Sequence, residues 1–216
     1  MAPDIRAVLF DLDGTLLDSR AQDEELIRRL LTNILRGKAS PALIARYYGM
    51  SSRKILEEVA PNRIEELMPV LEDLQRQTTD LTTVFAGIKS TVDKLAQAGF
   101  YLGVVTSKTR QETIISRMAY DLPESIKVWV AADDVSDPKP DPAPIRKALE
   151  LMSCLPNEAV MIGDTYFDMQ AGRAAGTKIG AALWGYVDEE RLLSFNPEFL
   201  FYSPAELEKL IQCKRN

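Results

Sequence analysis

Asp11 and Asp13 stand two residues apart where the apolar run Ala7-Val8-Leu9-Phe10 breaks into Asp11-Leu12-Asp13-Gly14-Thr15. Gly14 permits a tight turn there, and Thr15 can hydrogen-bond back to steady it. Much later, Asp164 and Asp168 are four apart, so a helix starting near 165 puts them along one face. Between these pairs, Lys139 is locked among Pro138, Pro140 and Pro142, which stiffen its loop. Carboxylates gathered in one site repel unless something positive sits among them. Oxygen donors without His or Cys suit a hard cation, and magnesium in company with phosphate fits best. Lys139 supplies a second positive charge.

The elements that must position these groups follow from periodicity. Ala7 to Phe10 reads as a buried strand. From about Ser19 to Thr79 the chain is rich in Leu, Glu, Arg and Gln at helical spacing. Helices are expected over 21–36, stopped by Gly37; over 41–48, with Ser40 as cap; over 52–60; and from 62 to about 79, kinked or split at Pro69. Beyond Gly87, helices over 88–98, 109–119, 142–152 and 166–175 alternate with strands over 101–105, 127–131, 159–162 and 178–181. A short strand over 199–201 and a capping box at Ser203-Pro204-Ala205-Glu206 close the chain. Alternating strands and helices mean a parallel sheet covered on both faces, here an α/β Rossmann-like core over 1–18 and 84–216. The all-helical stretch 19–83 is expected to form a small cap inserted after the first strand. Ligands bind beyond the carboxyl ends of such strands. Asp11 and Asp13, Thr106-Ser107, Asp133-Asp134 and Asp164 all fall at such ends. Each fragment alone has an ordinary reading as a turn or loop; their conjunction in order points to a catalytic site.

Composition narrows the partners. The 216 residues, 46% apolar and 27% charged, describe an ordinary globular protein. A net charge of −6 with no basic patch argues against nucleic acid or an anionic membrane as partner. Cys154 and Cys213 have no disulfide or metal spacing and read as thiols of a reducing compartment. The N-terminal residues lack the apolar stretch of a signal peptide, which makes the cytoplasm the expected location. Histidine is absent, which removes His triads and His-ligated metals.

Asp11-Leu12-Asp13-Gly14-Thr15-Leu16-Leu17-Asp18 resembles the signature of the haloacid dehalogenase superfamily. Val104-Val105-Thr106-Ser107-Lys108 is similar to its second motif, Pro138-Lys139-Pro140-Asp141-Pro142 to its lysine motif, and Gly163-Asp164-Thr165-Tyr166-Phe167-Asp168 to its acidic motif. The helical insertion resembles the cap of the phosphoglycolate phosphatase, pyrophosphatase and phosphoglucomutase branch. The resemblance implies a magnesium-dependent phosphatase acting on a small phosphorylated metabolite, either a phosphoglycolate-like monoester or pyrophosphate. Asp11 would take the phosphoryl group, and Asp13 would serve as acid and base. Thr106 and Ser107 would hold phosphoryl oxygens, and Lys139 would neutralise charge. Asp11, the Asp13 carbonyl and Asp164 would ligate magnesium, with Asp168 supporting the metal shell or Lys139. Phosphoryl transfer needs in-line positioning and charge neutralisation above all, which agrees with this set.

Two alternatives stay open. Sugar phosphomutases of this superfamily usually carry a cap histidine about a dozen residues past the nucleophile, where this chain has Asp23. A catalytically weak binding or regulatory protein has little physical reason to hold such clashing charges together. In the cap, Arg53 is the first candidate for an anionic tail of the substrate, and Lys54 reads as an exposed helix start. Lys108 and the Asp133-Asp134 pair read as solvent-facing, and Asp18-Ser19 as a hinge or helix start. Either a monomer or a homodimer fits.

Overall fold

The computed structural model describes residues 5–35, 39–185 and 188–213. Its first half runs β1 (Ala7–Phe10), β2 (Leu17–Asp18), α1 (Arg20–Leu35), α2 (Pro41–Ala45), α3 (Ser52–Val59), α4 (Ile64–Gln77), β3 (Thr83–Val84), α5 (Ile88–Gln97) and β4 (Tyr101–Val105). The second runs α6 (Arg110–Ala119), β5 (Val128–Val130), α7 (Ala143–Met152), β6 (Ala159–Gly163), α8 (Tyr166–Ala175), β7 (Lys178–Ala182), α9 (Glu189–Leu193), β8 (Phe199–Phe201) and α10 (Lys209–Cys213). Six strands form one parallel sheet in the order β5-β4-β1-β6-β7-β8, the expected Rossmann-like α/β fold.

β1 lies at the centre because it is apolar on both faces. Val8 and Phe10 join the cluster under α5, while Ala7 and Leu9 join the one under α7 and α8. Register then fixes the site. Phe10 pairs with Val104 on one side and Ile162 on the other, so the residues following β1, β4 and β6 emerge side by side. The chain crosses from β1 to β4 and β5, then returns to β6 on the opposite side. The sheet order reverses at β1, where a crevice opens.

Between β2 and β3, which pair as an antiparallel ribbon, the regular structure is helical throughout. These helices have an apolar cluster of their own, with Leu31, Leu56 and Leu71 at its heart. Ser40 and Ser51 cap α2 and α3 by accepting from the amides of Leu43 and Lys54. The expected break at Pro69 does not occur: α4 runs unbroken from Ile64 to Gln77. Pro69 removes one donor near the helix start, and the buried face of Leu67, Met68, Leu71 and Gln75 holds the helix through it. α2 ends at Ala45 rather than 48, β5 begins at Val128 rather than Lys127, and Gly37 lies outside the described residues. The C-terminal capping box does not form. Ser203 makes no side-chain cap; instead Glu206 accepts from the Tyr202 amide, and a 3-10 turn over Pro204–Glu208 precedes α10. Among the described residues, no helix is long and apolar enough to cross a membrane.

Candidate active site

Asp11 leaves β1 as its first polar residue, its amide bonded to the Ile162 carbonyl at 2.8 Å. Its Oδ1 accepts from the Leu12 amide at 2.7 Å and lies 2.9 Å from Lys139 Nζ, which fixes the carboxylate plane. Lys139 is fully buried; it also donates to the Val105 carbonyl at 3.0 Å and to Asp168 Oδ1 at 2.7 Å. The second Asp168 oxygen accepts from the Thr165 amide and hydroxyl, so Asp168 both caps α8 and anchors the lysine. Burial opposes the charge on Lys139, but Asp11 and Asp168 outweigh it and hold the ammonium above its ordinary pKa.

Asp164 completes the acidic group. Asp11, Asp164 and Asp168 are all buried and bring carboxylate oxygens within 4.8 Å of one another. Thr15 was expected to steady its own turn. Its hydroxyl instead reaches across the crevice to Asp164 Oδ1 at 3.1 Å. Two glycines make the packing feasible. A Cβ on Gly14, whose φ is +73°, would fall 2.0 Å from Asp164 Oδ2, and one on Gly163 would fall 2.2 Å from Asp168 Cγ. Three buried carboxylates against one ammonium form an oxygen-only donor set with a charge deficit, which a hard divalent cation fits. Because Asp168 is committed to Lys139 and Thr165, Asp11 and Asp164 are the better-placed direct ligands.

Above this floor lies a cleft whose empty space, open mouth included, is about 840 Å³. Asp11, Asp13, Thr106, Ser107 and Asp164 line its lower wall, and α1, α3 and α4 supply the upper one. The sequence-derived residues Asp11, Asp13, Thr106, Ser107, Lys139, Asp164 and Asp168 are therefore gathered at one sheet edge. Arg53 is not: it pairs with Glu65 at 3.0 Å, is about half exposed and takes no part in lining the cleft. It follows Ser52 by one residue, and on a helix that step carries its side chain off the cleft face.

Lys108 corrects the reading in the other direction. Its ammonium lies 2.8 Å from Asp13 Oδ2 and only 11% of its side chain is exposed. The partner of Asp13 had no sequence signal beyond its place after Ser107. Asp23 also lines the cleft, bonded by the buried Ser19 at 2.9 Å. Glu112, on α6, accepts from Ser52 across the cleft at 2.6 Å. Asp133 is exposed, as its loop suggested, whereas the Asp134 side chain is only 7% exposed. Asp133 accepts from the Arg110 amide and Asp134 from the Ala131 amide, so both serve loop structure.

Burial, then the negative charge of Asp168, pushes the Asp11 carboxyl up to about 7 despite Lys139. Burial, then Asp13, pushes Asp23 up to about 7 as well. Both values stand above the unfolded carboxyl value of about 3.9. The folded chain therefore binds more protons than the unfolded chain between about pH 4 and 7, and stability falls as pH rises through that window. The absence of histidine keeps the upper part of the window, above the ordinary carboxyl range, clear of other side chains with ordinary pKa values. The metal-free protein is expected to melt several degrees lower at pH 8 than at pH 5.5, read by calorimetry with chelator present. A melting temperature that climbs over that range contradicts the assignment.

A family model described as haloacid dehalogenase-like hydrolase matches residues 8–182. The phosphoglycolate phosphatase of Aquifex aeolicus is 32% identical over 209 residues, covering 96% of this chain and 97% of that one. The pyrophosphatase PpaX of Bacillus pumilus is 31% identical over 208 residues, covering 96% of each. The crystal structure of a putative phosphoglycolate phosphatase from Lactobacillus plantarum superposes with a TM-score of 0.86 at 28% identity, covering 96% of this chain and 99% of that one.

Proposed function

The chain belongs to the haloacid dehalogenase-like hydrolases, and on that premise we propose that it is a magnesium-dependent phosphatase working through a phosphoaspartyl intermediate on Asp11. The substrate is a small phosphate monoester or pyrophosphate. One observation carries the reading: a buried Asp11 carboxylate, oriented by Lys139 and Leu12, lies at the floor of a cleft whose wall holds Asp13 with its Oδ1 buried and unpartnered among the described residues.

Asp11 attacks phosphorus as the bond to the leaving oxygen breaks, and Asp13 gives that oxygen a proton. Water then attacks the phosphoaspartate; Asp13 takes its proton, the acyl phosphate bond breaks, and inorganic phosphate leaves with Asp11 restored. Lys108, on Asp13 Oδ2, orients that carboxyl so that Oδ1 faces the exchange. Thr106 and the Ser107 amide hold phosphoryl oxygens, and Lys139 spreads positive charge over Asp11 and the phosphoryl group. Asp11, Asp164 and the Asp13 carbonyl would hold the magnesium ion, which when bound supplies further positive charge against the phosphoryl oxygens. The helices over 19–83 act as a cap whose closure over the leaving group excludes water.

Hydrolysis of 4-nitrophenyl phosphate tests this. Turnover is expected to fall on the order of 100-fold or more with chelator and to return with excess magnesium. Chelator-insensitive turnover, or none of any phosphate ester, removes the reading.

A further inference from the structure

The cleft beyond the phosphoryl position has its own chemistry, and it differs from what phosphoglycolate or pyrophosphate needs. Both have an anionic leaving group. Such a group wants an uncommitted cation, or amide donors at a helix start. Among the described residues lining the cleft, Lys108 supplies the one cationic side chain, and it is committed to Asp13 at 2.8 Å with Asp23 and Glu112 also close enough to act on its charge. The start of α3 faces the cleft through Ser52, but the Ser52 hydroxyl already donates to the Glu112 carboxylate at 2.6 Å. The protein's own anion thus fills the place where a substrate's second anion would bind. Asp23 shows that this wall disfavours negative charge, since burial and then Asp13 push its carboxyl up to about 7. The arginines that could have changed this balance face outward, Arg53 to Glu65 and Arg46 to Glu58.

What the upper wall offers instead is apolar surface and one unmet acceptor. Leu26, Ile27, Leu30, Met50, Ile55 and Leu71 line it. Gln75, 2% exposed, also lines it. The Gln75 amide nitrogen is held by the Glu112 carbonyl and Ser116 hydroxyl, both at 3.3 Å. Its Oε1 is buried with no partner among the described residues. A buried acceptor left unmet is costly, and a donor on a ligand entering the cleft would satisfy it.

Resting on the phosphatase reading above, we propose that the leaving group is an uncharged alcohol with an apolar face and a hydrogen-bond donor that meets Gln75, and that Glu112 excludes anionic leaving groups. Glu112 is a specificity-determining residue. It also caps α6 by accepting from the Thr109 amide at 2.7 Å. The substitution Glu112→Gln can keep that bond through the amide oxygen, while its NH2 faces Ser52 as a donor and the charge is lost.

The test compares phosphoglycolate with the phosphate ester of glycolamide, which matches it in shape but carries an uncharged amide. Pyrophosphate and the phosphate ester of methyl glycolate, which is neutral but lacks the donor, complete the set. For the magnesium-loaded protein, kcat/KM for the glycolamide ester is expected to exceed that for phosphoglycolate and pyrophosphate by about tenfold or more. It is expected to exceed that for the methyl glycolate ester by about 2- to 10-fold. In Glu112→Gln the first preference should shrink to within about threefold, chiefly through gain on phosphoglycolate. A preference for phosphoglycolate or pyrophosphate, or a preference unmoved by Glu112→Gln, overturns the inference and leaves the phosphatase reading intact. Failure to hydrolyse any of the esters overturns both.

Discussion

Asp11→Asn is expected to lower kcat for phosphate esters on the order of 10⁴-fold or more, as loss of a covalent nucleophile does. The amide keeps the shape of the side chain but cannot attack phosphorus, so no hydroxylamine-labile phosphoenzyme should accumulate with labelled substrate. Stability should move the other way. The ionised Asp11 is disfavoured in the fold, since burial and Asp168 together outweigh the help from Lys139 and carry its carboxyl up to about 7. A neutral isostere removes that conflict, so the metal-free variant should melt no lower than the unaltered protein at pH 8. A site shaped for reaction rather than for stability behaves this way. Residual turnover within tenfold of the original would place the nucleophile elsewhere.

Lys139→Met is expected to damage both properties. The ammonium is buried between Asp11 and Asp168 and also serves the Val105 carbonyl. Removing one member of a buried charge group while its partners remain costs about 3–5 kcal/mol, which urea unfolding of the metal-free protein would read directly. Activity should fall on the order of 10²- to 10³-fold. The remaining activity should also shift to higher pH, because Asp11 without Lys139 gives up its proton later. That shift separates loss of charge from simple loss of packing, which would leave the pH profile in place. Lys139→Arg keeps the charge but must fit a larger planar group in a fully buried slot, so only partial recovery is expected. An unchanged urea midpoint and pH profile in Lys139→Met would rule out the clamp.

The strands were legible because β1 and β6 are short apolar runs buried on both faces, and a parallel sheet allows little else. The floor of the site was legible for a related reason. Asp11, Thr106 and Asp164 immediately follow the ends of adjacent strands, and strand ends share one edge. Helix details were less legible. Pro69 signals a break locally, but the buried face of α4 overrides it. Ser203 has a capping spacing, yet Glu206 reaches the Tyr202 amide instead. Between β2 and β3, Arg53 and Ser52 are neighbours in sequence, and only the rotation of α3 settles which of them meets the cleft.

Pattern along the chain was enough for the sheet and for which residues meet at its edge, because each of these is set at short range by burial period, turn chemistry and the strand end. It took the packed fold to turn Lys108 inward to Asp13, to carry Thr15 across to Asp164, and to bring Asp23, Gln75 and Glu112 together on one cleft. Those contacts join α1, α4 and α6, elements far apart in the chain, and long charged or amide side chains can point either way from the same backbone. Nothing local sets that choice; it depends on which partner the packed helices bring within reach.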